Sequence, residues 1–572
     1  MLMADTPHDQ QRHDEPAVVN IGAQLNQAAR EWPTQIAVVE PRGREADGRR
    51  RYRQVTFREL DQDSDQIAGA LRSWGVTAGQ RLVLMVRPGI DFISLTFALF
   101  KAGVVIVLID PGMGQEHLLR CLQEVDPDGF VALPLVQAIR CLKRRLFPRA
   151  RFNVTVGRRY FWGGKSLAEI RGSPVAPFSI EPTAADDSAA IIFTTGSTGP
   201  PKGVHYRHGN FAHQVTQIRD HYRILPGEVD LPGFPLFGLF NAAMGVTTVV
   251  PDMDPTRPAR VDPRLVVEAV HDWKVTQAFG SPAIWNVVGK YCEETGTRLP
   301  SIRRLLSAGA PVPPHVVQRV KKAIAPDGEI HTPYGATESL PVASISGTEI
   351  LTETAARTAA GGGTCVGRRF SEIQWKIMAI TDEPIRAMRD LCEEPRGEIG
   401  ELLVTGPVVT RDYVTRIEAN ALAKVVDDVT GQVWHRMGDV GYLDDVDRFW
   451  FCGRKAHRVR TSRGTMYTIP CEAIANQHPH IYRSALVGIG PPGEQSPVIV
   501  VEPWPAHLPR REASRRQLLD EVFARLQQSV LTESIRREHL LCHASLPVDI
   551  RHNAKIFREK LAIWAQQQLE AR

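Results

Sequence analysis

The sequence predicts an α/β protein: a large N-terminal domain of two doubly wound αβ lobes with a small β-barrel-like subdomain, followed by a small mobile α+β C-terminal domain. Three observations lead there. Strand-like and helix-like segments alternate over 20–110 and again over 189–311, the pattern of βα units around mostly parallel sheets. From about Gly361 the texture changes to short strands separated by turns, as in a small antiparallel barrel. After Arg454, strands and two helical stretches form a tail of about 115 residues. The expected domains are therefore 1–455 and 456–572.

In chain order, the first run reads as a strand at 36–40 (IAVVE), a helix at 57–75, a strand at 81–86, a long apolar helix and a strand at 104–110. The apolar stretch 93–109 is broken by Lys101-Ala102-Gly103 and, at 17 residues, is short for a membrane span. A buried helix, a turn and a buried strand are expected instead. The second run gives a strand at 189–195, a Gly-rich loop, a helix near 210–221, and strands at 245–251, 277–280 and 303–311. Short strands follow at 361–370, 373–380, 397–407 and 439–454, then strands at 484–490 and 497–503 and helices at 515–530 and 555–570. No internal repeat or low-complexity linker intervenes, so the hinge should be short.

Length excludes a single small binding module: 572 residues, at about 150 per domain, make several subdomain-sized units. Hydrophobic residues at 43% and charged ones at 23% are ordinary for a globular chain. A net charge of +5 over this size is too weak a field to imply nucleic acid or an anionic membrane. Short basic runs such as Arg49-Arg50-Arg51 and Lys143-Arg144-Arg145 read as solvated faces. Eight scattered cysteines without a C-x-x-C pair fit a reducing compartment, and the polar amino terminus lacks the apolar core of a signal peptide. A cytoplasmic protein with no transmembrane segment is expected.

Three segments invite a phosphate-loop reading, and two fail on context. Gly164-Lys165-Ser166 ends like a Walker loop, but Arg159 stands where the motif needs its first glycine. Gly488-Ile489-Gly490-Pro491-Pro492-Gly493 is followed by another strand rather than a helix, which makes it a hairpin turn. The third segment runs from Phe193 to Val204, between an apolar strand and a helix-like stretch. It carries Thr194, Thr195, Ser197 and Thr198 with Gly196, Gly199 and Lys202. Hydroxyls, inward-turning backbone N–H groups and one fixed cation make a concave donor surface for a polyphosphate. The alternative is an ordinary Gly/Ser/Thr surface loop, which has no need of that hydroxyl density.

This loop resembles the phosphate loop of the adenylate-forming superfamily, which includes acyl-CoA synthetases, luciferases and peptide-synthetase adenylation domains. The family's other motifs stand in order across some 360 residues. Ser307-Ala308-Gly309-Ala310-Pro311 resembles the adenine-lining segment. Tyr334-Gly335-Ala336-Thr337-Glu338 matches Y-G-x-T-E, which implies that Tyr334 stacks on adenine, Thr337 contacts the α-phosphate or substrate carboxylate, and Glu338 helps to hold Mg²⁺. Gly438-Asp439-Val440-Gly441-Tyr442 matches G-D-x-G-Y, implying a ribose-binding Asp439. Arg454 of Gly453-Arg454 is the matching ribose and phosphate ligand. The family's catalytic lysine maps to Lys555, three residues before Arg558, although Asn553-Ala554 replaces the usual Ser-Gly and Pro547 lies two residues too far upstream. ATP and Mg²⁺ are the implied cofactors.

Two departures bear on the second half-reaction. Gly238 stands where acyl-CoA synthetases often carry a histidine, and Ala456 where the hinge residue is usually charged. Both put coenzyme A binding in doubt. The segments at 193–211, 234–245, 249–263 and 546–565 look more closely like the β-lactone synthetases of bacterial long-chain olefin biosynthesis. That resemblance implies adenylation of a long-chain 2-alkyl-3-hydroxy acid, capture of the activated carbonyl by the substrate's own 3-hydroxyl, and assembly with a thiolase-like condensing enzyme, a reductase and a β-lactone decarboxylase. The alternatives are a long-chain fatty acyl-CoA ligase and a catalytically degenerate scaffold. His205, His208 and His213 follow the loop and read as structural or near phosphate; the H-x-x-H spacing lacks supporting metal ligands.

Overall fold

The computed structural model describes residues 19–194, 199–234, 236–549 and 555–571. Strands β1 (Ile36–Arg44) and β2 (Arg50–Thr56) form an antiparallel ribbon. Next come β3 (Arg81–Met85), β4 (Val105–Leu108), β5 (Gly129–Ala132), β6 (Phe152–Thr155), β7 (Lys165–Ser166), β8 (Ser188–Phe193) and β9 (Gly203–Arg207). These seven make one sheet in the order β7-β6-β5-β3-β4-β8-β9, parallel except for the β8–β9 pair.

The second lobe is built on β10 (Val229–Pro232), β11 (Thr247–Val249), β12 (Gln277–Gly280), β13 (Arg304–Ser307), β14 (Glu329–Ala336) and β15 (Ser339–Ser346). The antiparallel region adds β16 (Thr364–Arg369), β17 (Gln374–Met378), β18 (Gly400–Thr405), β19 (Lys424–Val426), β20 (Val433–Leu443) and β21 (Arg448–Arg454). Hydrogen bonding is continuous from one group to the other through β14–β15–β16, so both belong to one 14-stranded sheet. The anticipated β subdomain is thus an antiparallel extension of the second lobe.

Two expectations are corrected. The strand at 36–40 does not join the first lobe: β1 pairs in parallel with β11, Val38 beside Thr248 and Val39 beside Val249, at the edge of the second lobe's sheet. Order in sequence does not set order in a sheet when a crossover helix can carry the chain from one lobe to the other. The Gly-rich loop is followed not directly by a helix but by β9. Residues 203–207 (Gly-Val-His-Tyr-Arg) pair antiparallel with β8; the helix His208–Tyr222 starts only after that strand.

The membrane-like stretch resolves as expected. Helix Ile90–Lys101 is buried except at Asp91, and β4 follows a short turn. Lys101 is tolerated inside because its ammonium pairs with Asp61 at 2.5 Å and Asp65 at 2.6 Å. No helix among the described residues is long and apolar enough to cross a membrane.

After β21 the chain leaves the large sheet. β22 (Val459–Thr461) and β23 (Gly464–Met466) form a ribbon; β24 (Ile481–Ile489), β25 (Ser496–Pro503) and β26 (Leu540–Cys542) form a small sheet. The β24–β25 hairpin turns at Gly490 and Gly493, both at positive φ, where a side chain would be strained. Helices Thr468–Asn476, Glu512–Leu526 and Arg558–Glu570 cover this sheet, whose core residues are its own. An ion pair ties the two parts together, Arg458 to both oxygens of Asp382 at 2.7 and 2.8 Å, beside the Lys455–Glu401 pair of 3.0 Å at the junction.

Candidate active site

A cavity of about 1850 Å³ opens between the C-terminal ends of the parallel strands of both lobes and C-terminal residues that include Thr468, Lys555 and Arg558. That is beyond the usual span of about 300–1,000 Å³ for a small-molecule site. Open α/β sheets bind ligands at these strand ends, because loops there diverge and leave a crevice. Thr194, Gly199, Lys202, Gly309, Ala310, Pro311, Tyr334, Gly335, Ala336, Thr337, Glu338, Asp439, Arg454 and Lys555 all line it. Thr195, Gly196, Ser197 and Thr198 lie outside the described residues.

The phosphate-loop candidate is closed at its base. Thr194 N–H donates to the Lys202 carbonyl at 3.0 Å, and Lys202 N–H to the Thr194 hydroxyl at 3.1 Å. The Lys202 ammonium lies 5.0 Å from the Tyr413 ring centre. The loop therefore joins two antiparallel strands, and no helix terminus follows it directly.

Residues 334–338 sit at the β14–β15 turn. Gly335 is required there: a Cβ would stand 2.7 Å from the Ser339 carbonyl. The segment is pinned from behind by two tyrosines, Tyr206 donating to the Thr337 carbonyl at 2.6 Å and Tyr413 to Glu338 Oε1 at 2.7 Å. Glu338 makes no ion pair among the described residues. A carboxylate lining the cavity suits Mg²⁺, which is commonly held by one or two carboxylates plus substrate phosphate oxygens.

Asp439, buried on β20, faces Arg454 on β21, the two being cross-strand partners. Their ion pair is 3.0 Å long, and the Tyr334 hydroxyl donates to the other carboxylate oxygen. Burial pushes the Asp439 carboxyl above its ordinary range, while Arg454 and, across the cavity, Lys555 pull it back. Lys555 thus stands close enough for its charge to be felt at Asp439. Its own segment is folded back on itself: Lys555 N–H donates to the Asp549 carboxylate at 2.9 Å and Asp549 N–H to the Lys555 carbonyl at 3.0 Å. Arg558 anchors the segment by donating to Glu472 at 2.5 Å and to the Leu486 carbonyl at 3.0 Å. Ala456 also lines the cavity, between Lys455 and His457.

Much of the remaining lining is apolar, although Glu40, Arg87, Asp110, Asp252 and Asp254 also reach it. Leu84, Val86, Phe92, Ile93, Leu133 and Val136 come from the first lobe, and Leu236, Phe237, Val250, Met253 and Phe279 from the second. Gly238 lies on this wall, and a Cβ there would meet Thr248 Cγ2 at 3.3 Å.

The histidines divide as structural groups. His205 bridges Ser188 at 2.7 Å and Asp412 at 3.1 Å. His208 is buried, held neutral by desolvation with its pKa lowered to about 4, and accepts from Ile21 N–H. His213 is partly exposed beside Glu372 at 3.5 Å. No metal-binding group of three is present among the described residues.

Two residues escaped sequence reasoning. Tyr413 supports Glu338 and lies under Lys202, and Lys424 donates to the Thr410 carbonyl with its ammonium 5.7 Å from the Tyr413 ring centre. Burial drives the Lys424 pKa down to about 7. Neither belongs to a short motif; the weak signal was a lysine within 421–426, an otherwise apolar, strand-entering stretch.

Comparison with known proteins agrees with this geometry. The AMP-binding enzyme family matches residues 25–414. The chain is 48% identical to an olefin beta-lactone synthetase of Xanthomonas campestris pv. campestris, covering 96% of this chain and 98% of that one. It is 45% identical to an olefin beta-lactone synthetase of Stenotrophomonas maltophilia, covering 97% and 99%. Among solved structures, ATP-bound MatB from Rhodopseudomonas palustris shares the fold, with a TM-score of 0.75 at 19% identity over 96% of this chain and 99% of that one. A match over most of the large domain, joined to near-full-length identity of almost one residue in two, makes this chain a member of the AMP-binding enzyme family.

Proposed function

We propose that the chain is an ATP-dependent β-lactone synthetase, which adenylates a long-chain 2-alkyl-3-hydroxy acid and closes it to a β-lactone with release of AMP and diphosphate. One observation carries the reading. A single cavity joins the polar set Lys202, Glu338, Asp439, Arg454 and Lys555 to an apolar space large enough for a branched lipid. The near-full-length likeness to two olefin beta-lactone synthetases supports the choice of product.

The division is taken as 1–455, carrying the nucleotide-binding surface, and 456–572, a lid delivering Lys555. Asp439 and Arg454 hold the ribose, Tyr334 faces the adenine with Gly309, Ala310, Pro311, Gly335 and Ala336 around it, and the 194–202 loop cradles the β- and γ-phosphates. The substrate carboxylate attacks the α-phosphorus; a P–O bond forms, the bond to the β-phosphate breaks, and diphosphate leaves. Negative charge grows on the α-phosphate, where Lys555 and Thr337 stand to stabilise it. Mg²⁺, held by Glu338 and phosphate oxygens, would neutralise charge on the departing diphosphate.

In the second step the 3-hydroxyl oxygen attacks the activated carbonyl and gives up its proton to the departing AMP phosphate or to water, the bond to AMP breaks, and AMP leaves. Apolar walls that hold both chains together and exclude water make this closure intramolecular, where effective molarity replaces an external thiol. Gly238 leaves room for the branch. Eight free thiols suit a reducing cytoplasm. The product's consumer would be a β-lactone decarboxylase, and its substrate's suppliers a thiolase-like condensing enzyme and a reductase.

The test is to incubate the protein with Mg-ATP and a synthetic 2-alkyl-3-hydroxy acid without coenzyme A, following products by proton NMR at low temperature. Lactone with stoichiometric AMP is expected. AMP release only on adding coenzyme A, with thioester formed, overturns the proposal.

A further inference from the structure

The 134–166 segment of the first lobe holds nine Lys and Arg residues and no Asp or Glu. Without it the chain's +5 would turn negative. Four large apolar side chains stand out to solvent in the same segment: Leu135 is 72% exposed, Leu142 80%, Tyr160 52% and Phe161 81%. Leu135 and Leu142, seven residues apart on helix Pro134–Leu142, share one face. The loop bearing Tyr160 and Phe161 packs beside the start of that helix, since a Cβ on Gly157 would lie 3.6 Å from Pro134. Trp162 anchors the loop from below, buried and donating to the Thr155 hydroxyl at 2.9 Å, with the rings of Tyr160 and Phe161 set against it at 5.4 and 5.2 Å.

The charges are not spent on neighbours. Arg149 pairs with Asp126 and Asp128 and Arg159 with Glu169, but Lys143, Arg144, Arg145 and Arg158 make no ion pair among the described residues. The start of this helix reaches the cavity: Leu133, just before it, and Val136, next to exposed Leu135, are part of the apolar wall.

We propose that the helix Pro134–Leu142, the Lys143-Arg144-Arg145 turn after it and the 157–164 loop form a docking surface for an anionic lipid bilayer, at the apolar end of the cavity. Apolar side chains projecting singly among cations match a headgroup–acyl boundary, which takes the chains below and pairs the cations above. An acidic protein would answer the charge but leave Leu142 and Phe161 in water. The surface itself stands on charge and exposure; only its purpose, drawing a two-chain acid directly from the membrane, rests on the function proposed above.

The test is co-sedimentation of the full chain with phosphatidylglycerol-containing vesicles and with pure phosphatidylcholine vesicles, without substrate. Binding to the anionic vesicles alone is expected, weakening with added salt. K143A/R144A/R145A should lower that affinity on the order of a hundredfold, at roughly fivefold per cation removed. Leu142→Ser with Phe161→Ser should weaken vesicle binding about tenfold and leave binding to poly-L-glutamate unchanged, because the cations remain. All variants should form lactone normally from acid presented in detergent micelles, which reads the catalytic proposal separately. Equal binding to both vesicle types, no vesicle binding, or poly-L-glutamate binding in its place would overturn the assignment; the last would make the surface a site for an acidic protein.

Discussion

At the end of the cavity assigned to the nucleotide, Tyr334, Glu338, Asp439 and Arg454 are each fixed by a polar partner, whereas at the other end Leu84, Phe92, Val136, Phe237 and Phe279 are held by packing alone. Hydrogen bonds and ion pairs are directional, so the first end accepts few residue types at each position. Apolar packing tolerates exchange as long as volume is kept. The first end can therefore be broken by changing one atom's charge; the second must be tested by changing shape.

The largest effect is expected at Lys555. Lys555→Ala should reduce acid-dependent ATP–diphosphate exchange by about 10²–10³-fold, as loss of a group acting on transition-state charge does, with ATP binding little altered. Unchanged exchange would remove Lys555 from the chemistry. Asp439→Asn keeps shape and the Tyr334 contact but removes the charge beside Arg454. The KM for ATP should rise by roughly 10–100-fold, as for a charge-assisted contact worth about 1.5–3 kcal/mol, with thermal unfolding checking that the fold persists.

At the apolar end, Gly238→His should raise the KM for the long-chain acid about tenfold and leave that for ATP alone, since overpacking costs about 1–3 kcal/mol and its Cβ already meets Thr248. Equal shifts for both substrates would mean that the two ends are not separate. The smallest effect concerns Lys424, behind the polar end. Its folded pKa of about 7 lies below the unfolded value of about 10.4, so between these values the unfolded chain binds more protons and stability rises with pH. Lys424→Met should flatten that rise in thermal unfolding measured from pH 7 to 9; an unchanged slope would place the titration elsewhere.

Legibility in the sequence followed the same division. The 193–204 loop, 334–338, 439 and 454 could be found because each stands in a short motif, and Phe193, Thr194, Gly199, Lys202, residues 334–338, Asp439 and Arg454 line one cavity. Tyr413 could not, since its partner Glu338 is 75 residues away and a lone tyrosine advertises nothing. The basic run at Lys143 was read as a solvated face, because a one-dimensional charge count does not show Leu135 and Phe161 standing beside it.

By itself, the sequence determined the α/β class, the helix and strand periods, the hairpin at Gly490 and Gly493, and the order of the polar motifs, all of which depend on neighbours a few residues apart. Only the tertiary structure decided that β1 and β2 complete the second lobe's sheet, that a strand rather than a helix follows the Gly-rich loop, and that Tyr413 and Lys424 stand behind Glu338. These are pairings between distant segments. They are selected by the burial and hydrogen bonding of the whole assembly, which no local spacing encodes.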